Sequence, residues 1–227
     1  MALIVSIETA TKVCSVALHA EAQLIATQTL HVEKSHAESL LCTIEHLLAI
    51  SPYTKKDLSA VAVSSGPGSY TGLRIGASTA KGLCYALEIP LIAVNTLEAM
   101  AHGMRPYNTA QALLCPMLDA RRMEVYCLLA DSKGHTLTPT HPQVIDQHSF
   151  QIWLSDYSIL FFGDGAEKCK PLLAHHSRAM FIDHIYPKAH HVGILACTKF
   201  QQAIFEDLAY FTPLYLKPFQ GKLIEGA

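Results

Sequence analysis

Short apolar runs that alternate with amphipathic stretches predict an α/β protein. Between the third and fourth runs, apolar residues recur at intervals of three and four, which predicts a helix over residues 37–48. A second helix is predicted over residues 71–87, with Pro90 just beyond its end. The predicted strands of this half, short and rich in β-branched or small apolar residues, cover residues 3–7, 14–18, 24–30, 58–64 and 91–94.

The second half of the chain repeats this pattern. Residues 112–118 predict a buried strand that ends in Asp119, residues 124–129 a second strand, and residues 159–162 a strand that enters Gly163-Asp164-Gly165. Residues 136–142, rich in Thr and Pro, are predicted to be a loop. The repetition predicts two duplicated α/β lobes, residues 1–102 and 103–227, with the last helix expected to pack back on the first lobe.

The most distinctive motif is the glycine loop, which we define as residues 64–76 (SSGPGSYTGLRIG). A strand, a glycine turn and a helix in succession can direct backbone N–H groups at an anion. Glycine also permits positive φ and the close approach of another backbone. A Walker loop that began at Gly66 would need Gly-Lys-Ser/Thr where Thr71-Gly72-Leu73 stands. The spacing therefore leaves an anion site and a purely structural turn both open.

Composition bears on partners more than on chemistry. Charged residues make up 16% of the 227-residue chain and apolar residues 50%, which indicates either a large core or apolar surface covered by a partner. The net charge is −2 and the Lys and Arg residues are scattered, so we expect tRNA or other RNA to be reached only indirectly, through a partner.

The cysteines and the N-terminus indicate a cytoplasmic protein. Seven cysteines form an odd set without a C-x-x-C pair, and most lie in apolar runs, as buried thiols do in a reducing compartment. The N-terminal residues lack a cationic start and reach Glu8 at once, and no apolar run is long enough to span a bilayer. We therefore expect free thiols and no membrane association.

Five motifs in a fixed order resemble the bacterial TsaB (YeaZ) family along the whole chain. They are residues 6–11 (SIETAT), 66–76 (GPGSYTGLRIG), 119–126 (DARRMEVY), 163–165 (GDG) and 213–216 (PLYL). The motif residues that we single out as structural are Gly66, Pro67, Gly68, Gly72, Arg74, Gly76, Asp119, Arg121 and Glu124.

The resemblance implies an actin/Hsp70-like fold of two lobes. It also implies a role in threonylcarbamoylation of adenosine 37, beside the anticodon, in tRNAs that read codons starting with A. In that family the protein pairs with the transferase TsaD and works with the ATPase TsaE, and copies of it pair through the first two helices when these partners are absent. The corresponding interface residues here are expected to be His36, Leu40, Thr79, Gly82 and Ala86, of which the last three form a face of small residues.

The chain departs from the family pattern at its first acidic residue. Glu8 stands where the family has aspartate, and in actin-like ATPases that acid helps to hold the metal-bound nucleotide. We therefore expect no cofactor to be bound by this chain alone, and ATP or ADP only at an interface with partners. Lys217 likewise follows the PLYL stretch where the family has arginine.

Two enzymatic alternatives remain: an actin-like small-molecule kinase, or an M22-like hydrolase that acts alone. A kinase needs two phosphate-binding hairpins, and the first candidate, residues 8–11, lacks glycine. A hydrolase needs metal ligands or a nucleophile, yet none of the 13 histidines forms an i, i+4 pair and Gly-x-Ser-x-Gly is absent. Asp119, Arg121 and Glu124 are expected to form a strand-end turn in which arginine and carboxylate pair.

Overall fold

Two five-stranded sheets form the framework of the protein in a computed structural model, which describes residues 2–31 and 36–217. The strands of the N-terminal sheet are β1 (Leu3–Glu8), β2 (Cys14–Ala20), β3 (Gln23–Leu30), β4 (Ala60–Gly66) and β5 (Leu91–Asn95). Those of the C-terminal sheet are β6 (Leu113–Asp119), β7 (Glu124–Ala130), β8 (Thr136–Val144), β9 (Ile159–Phe162) and β10 (Ala179–Ile182). The helices are α1 (His36–Ala49), α2 (Tyr70–Leu87), α3 (Thr96–Met104), α4 (Gln151–Asp156), α5 (Ala166–Leu173) and α6 (Ala189–Gln201).

The two sheets share one topology. Their spatial orders are β3-β2-β1-β4-β5 and β8-β7-β6-β9-β10. In each sheet the first three strands in chain order pair antiparallel, and the last two extend the first strand as parallel neighbours. The predicted duplication of an α/β unit is therefore confirmed.

One predicted loop is in fact a strand. Residues 136–142, whose Thr and Pro content indicated a loop, belong to the nine-residue strand β8. This strand pairs only with β7 and forms an edge of the sheet. Proline is tolerated on an edge strand because its missing N–H can face away from the ladder, so Pro139 and Pro142 do not exclude the strand.

Helices α3 and α6 exchange sheets. Helix α6, late in the chain, packs through Val192, Ala196 and Cys197 on the N-terminal sheet. Helix α3, which follows the N-terminal sheet, packs through Leu97 and Met100 on β6 and β7 of the C-terminal sheet. The two helices also contact each other. The lobes are thus joined by a shared helical layer, while α1 and α2 cover the opposite face of the N-terminal sheet.

Glycine makes the contact between α6 and the N-terminal sheet close. A Cβ at Gly193 would lie less than 3.0 Å from the imidazole of His19, which is fully buried, and 2.9 Å from Ser6 Oγ. The His19 ring lies in the interior, where burial lowers its pKa to about 4, so it is neutral and held beneath the helix.

The described part of the chain carries no helix with the length and apolarity needed to cross a bilayer. All seven cysteines are free thiols; six are buried and Cys42 is exposed. Burial raises the pKa of the thiols of Cys14, Cys84 and Cys169 to about 11 in each case, so these thiols stay protonated.

We expect Gly193→Ala to destabilise the protein by roughly 1–3 kcal/mol, because the added methyl group would overpack against His19. Gly82→Ala is the matched control, since a Cβ at Gly82 meets nothing within 4 Å and alanine is favoured over glycine in a helix by ~1 kcal/mol. Denaturant unfolding of both variants tests this. Equal stability of Gly193→Ala and the wild type would contradict the packing of α6 on this sheet.

Candidate functional site

The glycine loop packs against the turn between β1 and β2. A Cβ at Gly68 would lie less than 3.0 Å from atoms of Ala10, and one at Gly72 would lie equally close to the carbonyl oxygen of Thr9. The Ser69 N–H donates to the Ala10 carbonyl at 2.6 Å. The predicted close approach of another backbone is therefore confirmed, and the backbone that approaches is the chain's own.

Of the remaining motif residues of the loop, Gly76 serves the same contact, whereas Gly66 and Arg74 lie elsewhere. A Cβ at Gly76 would lie less than 3.0 Å from Thr9 Oγ1, which in turn donates to the Gly72 carbonyl at 2.8 Å. Gly66 has φ of 111°, in the region that favours glycine, and is joined to Pro67 by a cis peptide bond. Arg74 lies on the exposed side of α2, where its guanidinium carbon is 5.2 Å from the centre of the Tyr70 ring.

Hydrogen bonds within the protein occupy three N–H groups near the start of α2, those of Ser69, Gly72 and Leu73. The Gly72 N–H donates to Ser69 Oγ at 3.3 Å and the Leu73 N–H to the Ser69 carbonyl at 2.8 Å. Ser69 is thus the N-cap of α2, and its own N–H is taken by Ala10. Of the two interpretations that the spacing left open, the geometry favours the structural turn.

Glu8, at the end of β1, is turned into the interior. Its side chain is fully buried, and Glu8 Oε1 accepts a hydrogen bond from the Ala10 N–H at 2.6 Å. Burial raises the pKa of the carboxyl to about 7, although the N–H groups of Ala10 and Thr9 and the nearby Ser64 hydroxyl oppose the rise. A carboxyl that is closed off from solvent and has a pKa near 7 is a poor ligand for a metal-bound nucleotide.

A cleft of about 980 Å³ lies between the lobes. On the N-terminal side its wall consists of the β1–β2 turn and the first turn of α2, and on the C-terminal side of the hairpin between β6 and β7 together with Asp164. Residues 214–217 form a further part of the wall. Glu8 is not among the lining residues, so the acid at the end of β1 does not face the cleft.

Lysines, not Arg121, pair with the carboxylates of the β6–β7 hairpin. Asp119 forms an ion pair with Lys168, and Glu124 forms one with Lys217. Arg121 has φ of 65°, and its N–H, not its guanidinium, donates to Asp119 Oδ1 at 2.9 Å. The expected pairing of arginine with carboxylate is wrong, because the turn is closed by the Arg121 backbone while the side-chain cations come from distant parts of the chain.

The glycine motif of the second lobe repeats the packing of the first. A Cβ at Gly163 would lie less than 3.0 Å from the Met117 carbonyl oxygen, and one at Gly165 would lie 2.8 Å from the carbonyl carbon of Leu118. Between them, Asp164 Oδ1 accepts from the Asp119 N–H at 3.1 Å, and burial raises the pKa of the Asp164 carboxyl. Both walls of the cleft are thus formed by a glycine turn packed on a hairpin.

Three of the five expected interface residues lie on the outer side of α2, and two do not. Gly82 and Ala86 are exposed and Thr79 is half-buried. Leu40 is only 1% exposed and packs in the core beneath α1, so it is a core residue. His36 is 7% exposed, and its Nε2 forms a 2.8 Å hydrogen bond with the Thr11 carbonyl at the edge of the cleft, so it does not face outward.

The outer side of α1 and α2 is apolar for a surface. Tyr85 on α2 is 80% exposed, Leu41 on α1 is 50% exposed, and Ile50, just beyond α1, is 63% exposed. Along its 18 residues α2 carries only two charged side chains, Arg74 and Lys81. Such a surface is typical of one that a partner covers.

The histidines do not converge on a metal. Within residues 2–31 and 36–217, no three His, Cys, Asp or Glu side chains are grouped as a metal site requires. The neighbours His190 and His191 instead pack ring against ring at 3.8 Å in the layer of α3 and α6, and burial lowers the pKa of His191 to about 3. Sequence spacing alone gave no signal that these half-buried rings would pack against each other.

Known proteins that resemble this chain place it in a family. A family model described as "TsaD: tRNA N6-adenosine threonylcarbamoyltransferase" matches residues 22–224. The chain is 33% identical to the Bacillus subtilis "tRNA threonylcarbamoyladenosine biosynthesis protein TsaB" over 177 residues, which cover 75% of this chain and 74% of that relative. The chain belongs to the TsaB (YeaZ) family. A second TsaB relative, from Escherichia coli, is 40% identical over 126 residues, which span about half of each protein (54% and 52%).

A solved structure supports the same fold for this TsaB-family chain. A Pseudomonas aeruginosa protein described as similar to the peptidase YeaZ superposes with a TM-score of 0.82 at 22% identity, over 96% of this chain and 100% of that one. This likeness shows the fold alone. The two-lobed actin/Hsp70-like fold expected from the sequence is therefore confirmed.

The burial of Glu8 predicts a defined pH dependence of stability. Its pKa is about 7 in the folded chain, against 4.5 for an exposed carboxyl, so the folded state binds the proton more tightly. This contribution is fully present below pH 4.5 and is lost as the pH rises through 7, by about 3 kcal/mol in total. Glu8→Gln cannot ionise and keeps the acceptor for Ala10 N–H.

We therefore expect Glu8→Gln to gain stability relative to the wild type between pH 5 and pH 8. Denaturant unfolding of both proteins at each pH measures the difference, and comparison of the two removes the opposing contributions of buried histidines such as His19 and His191. Parallel stability curves for the two proteins would show that Glu8 keeps an ordinary pKa.

Proposed function

We propose that this chain is a non-catalytic scaffold and activator subunit in the formation of threonylcarbamoyladenosine, at adenosine 37 of tRNAs that read codons starting with A. Its partner is a TsaD-type transferase, and a TsaE-type ATPase acts with the pair. The printed names of the TsaB relatives, which are biosynthesis proteins for this modified nucleoside, support the pathway. The family model, which describes a transferase, supports a partner of the same domain type.

The observation that carries the scaffold role is the outer side of α2. A Cβ at Gly82 meets nothing within 4 Å, and Ala86 beside it is exposed, so the backbone of another helix can approach closely here. Tyr85 on the same helix, Leu41 on the neighbouring helix α1 and Ile50 just beyond α1 add exposed apolar area to the outer side of this helix pair. Small residues that allow close approach and large ones that bury area together suit a helix–helix interface.

The same surface would pair two copies of this chain when the transferase is absent. A homologous partner presents an equivalent helix pair, so one surface can serve both assemblies. Contact with tRNA is indirect in this proposal, because the net charge of −2 and the scattered cations give no continuous basic surface for a phosphate backbone. ATP or ADP, if involved, is held where the partners meet and not by this chain alone.

Two features oppose the enzymatic alternatives. A kinase would need its first acidic residue at the cleft, whereas the Glu8 carboxyl is buried and hydrogen-bonded to the Ala10 N–H. It would also need N–H groups directed at phosphate, whereas those of Ser69 and Gly72 bond within the protein. For a hydrolase, the Ser69 hydroxyl already accepts from the Gly72 N–H as the cap of α2, and Ser64, in β4, is buried beside the equally buried Glu8 and does not line the cleft.

We expect Gly82→Leu to fold normally and to lose co-purification with the transferase. The leucine side chain projects into open space in the isolated chain, but it would hold a partner helix away, at a cost of ~1–3 kcal/mol from overpacking. Thr198→Leu is the matched control, because Thr198 is also an exposed helical residue but lies on α6.

Pull-down of the transferase and thermal unfolding of each variant distinguish the outcomes. An unfolded Gly82→Leu would show that this side of α2 is internal, and normal binding by a folded Gly82→Leu would place the interface elsewhere. The wild-type chain alone, repurified after chelation, is expected to show neither threonylcarbamoyl transfer nor proteolysis. Turnover by that preparation would contradict the non-catalytic role.

A further inference from the structure

Residues 211–217, which we term the cleft strap, bind to the N-terminal lobe at the glycine loop. The Leu214 N–H donates to the Ser65 carbonyl at 2.7 Å. The Leu214 carbonyl oxygen lies so near the loop that a Cβ at Gly66 would be 2.8 Å from it. Glycine suits position 66 for two reasons. Its φ of 111° lies in the region that favours glycine, and its missing side chain leaves room for the strap to lie on the loop.

Further contacts fix the strap, and the residues just before it, along α2 and in the N-terminal core. Lys81 Nζ donates to the carbonyls of Ala209 at 3.1 Å and Phe211 at 3.3 Å. The Phe211 side chain is 8% exposed and packs in the N-terminal core. Farther along, the Tyr215 ring lies against the Tyr70 ring at the start of α2, with 4.7 Å between ring centres.

At its far end the strap binds to the C-terminal lobe. Lys217 forms an ion pair with Glu124, and Lys217 Nζ also donates to the Ala120 carbonyl at 3.3 Å. The same ammonium lies 5.8 Å from the centre of the Tyr126 ring. The side chains of Lys217 and Glu124 are only 29% and 23% exposed, so water screens this pair less than it screens a fully exposed pair.

The strap thus contacts both lobes, and its residues 214–217 line the cleft. Elsewhere the lobes are joined through α3 and α6, no residue of which is among those that line the cleft in the described chain, and by contacts such as the 3.0 Å hydrogen bond from Asn95 Nδ2 to Thr140 Oγ1. A ligand bound between two lobes stabilises their closed arrangement because it contacts both of them. In this protein the strap makes such contacts with the chain's own residues.

We propose that the cleft strap, which forms part of the wall of the interlobe cleft, holds the two lobes closed in place of a bound ligand, with the Lys217–Glu124 pair as its anchor on the C-terminal lobe. This inference concerns the isolated chain and does not depend on the proposed partners. It explains how the two lobes can be held in one relative arrangement although Glu8, the first acidic residue, is buried away from the cleft between them.

Hydrogen exchange followed by mass spectrometry tests the proposal on the full chain. Lys217→Glu and Glu124→Lys each place like charges together, and Lys217→Met removes the charge alone. We expect each to speed amide exchange about fivefold or more, both in the strap and in the β6–β7 hairpin, as the loss of a partly shielded ion pair implies. The double variant Lys217→Glu/Glu124→Lys restores the pair with reversed charge and should return exchange toward the wild-type rate.

Lys170→Met is the matched control, because it breaks the Lys170–Asp183 ion pair within the C-terminal lobe. It should leave exchange in the strap unchanged. Faster exchange in the strap but not in the hairpin would show that the strap does not hold the lobes, and would overturn the proposal. So would single variants that exchange like the wild type, or a double variant that exchanges as fast as either single one while its thermal unfolding remains cooperative.

Discussion

The packing of the first turn of α2 on the turn between β1 and β2 is the contact on which the rest of the structure depends. Gly68, Gly72 and Gly76 make it possible, because a side chain at any of them would collide with Thr9 or Ala10. Across the contact the Ser69 N–H donates to the Ala10 carbonyl, and within the loop the Gly72 N–H donates to Ser69 Oγ. A motif with the order of a phosphate loop is therefore used to join a helix to a hairpin.

This contact fixes the orientation of both sides of α2. One side of the helix is fixed in the core through Ala77, Ala80 and Cys84, so the opposite side, with Gly82, is held outward in one orientation. The start of the helix is fixed at the cleft, where Tyr70 meets Tyr215 of the strap. The proposed partner surface and the cleft are thus two sides of one rigid element, and the second lobe repeats the design with Gly163 and Gly165.

Local patterns predicted much of this arrangement, and long-range contacts account for the errors. All the described strands except β8 and β10, together with α1, α2 and the duplication, followed from periodicity and glycine turns, because those signals arise within a few residues. The exchange of α3 and α6 between sheets has no local signal. Lys168 and Lys217 pair with Asp119 and Glu124 from 49 and 93 residues away, and sequence reasoning placed Arg121 there instead. The prediction that Leu40 lies at an interface was wrong for the same reason, because an apolar stripe on a helix does not reveal whether the chain itself or a partner packs on it.

The central claim is that the glycine loop and Glu8 serve the fold and not a nucleotide. Isothermal titration calorimetry of the isolated chain with ATP, in the presence and absence of magnesium, tests it most directly. We expect no magnesium-dependent binding in the micromolar range, because the N–H groups of Ser69, Gly72 and Leu73 are already paired and the acid at the end of β1 is closed off from the cleft. Micromolar binding that requires magnesium would contradict it, and would favour an actin-like kinase instead.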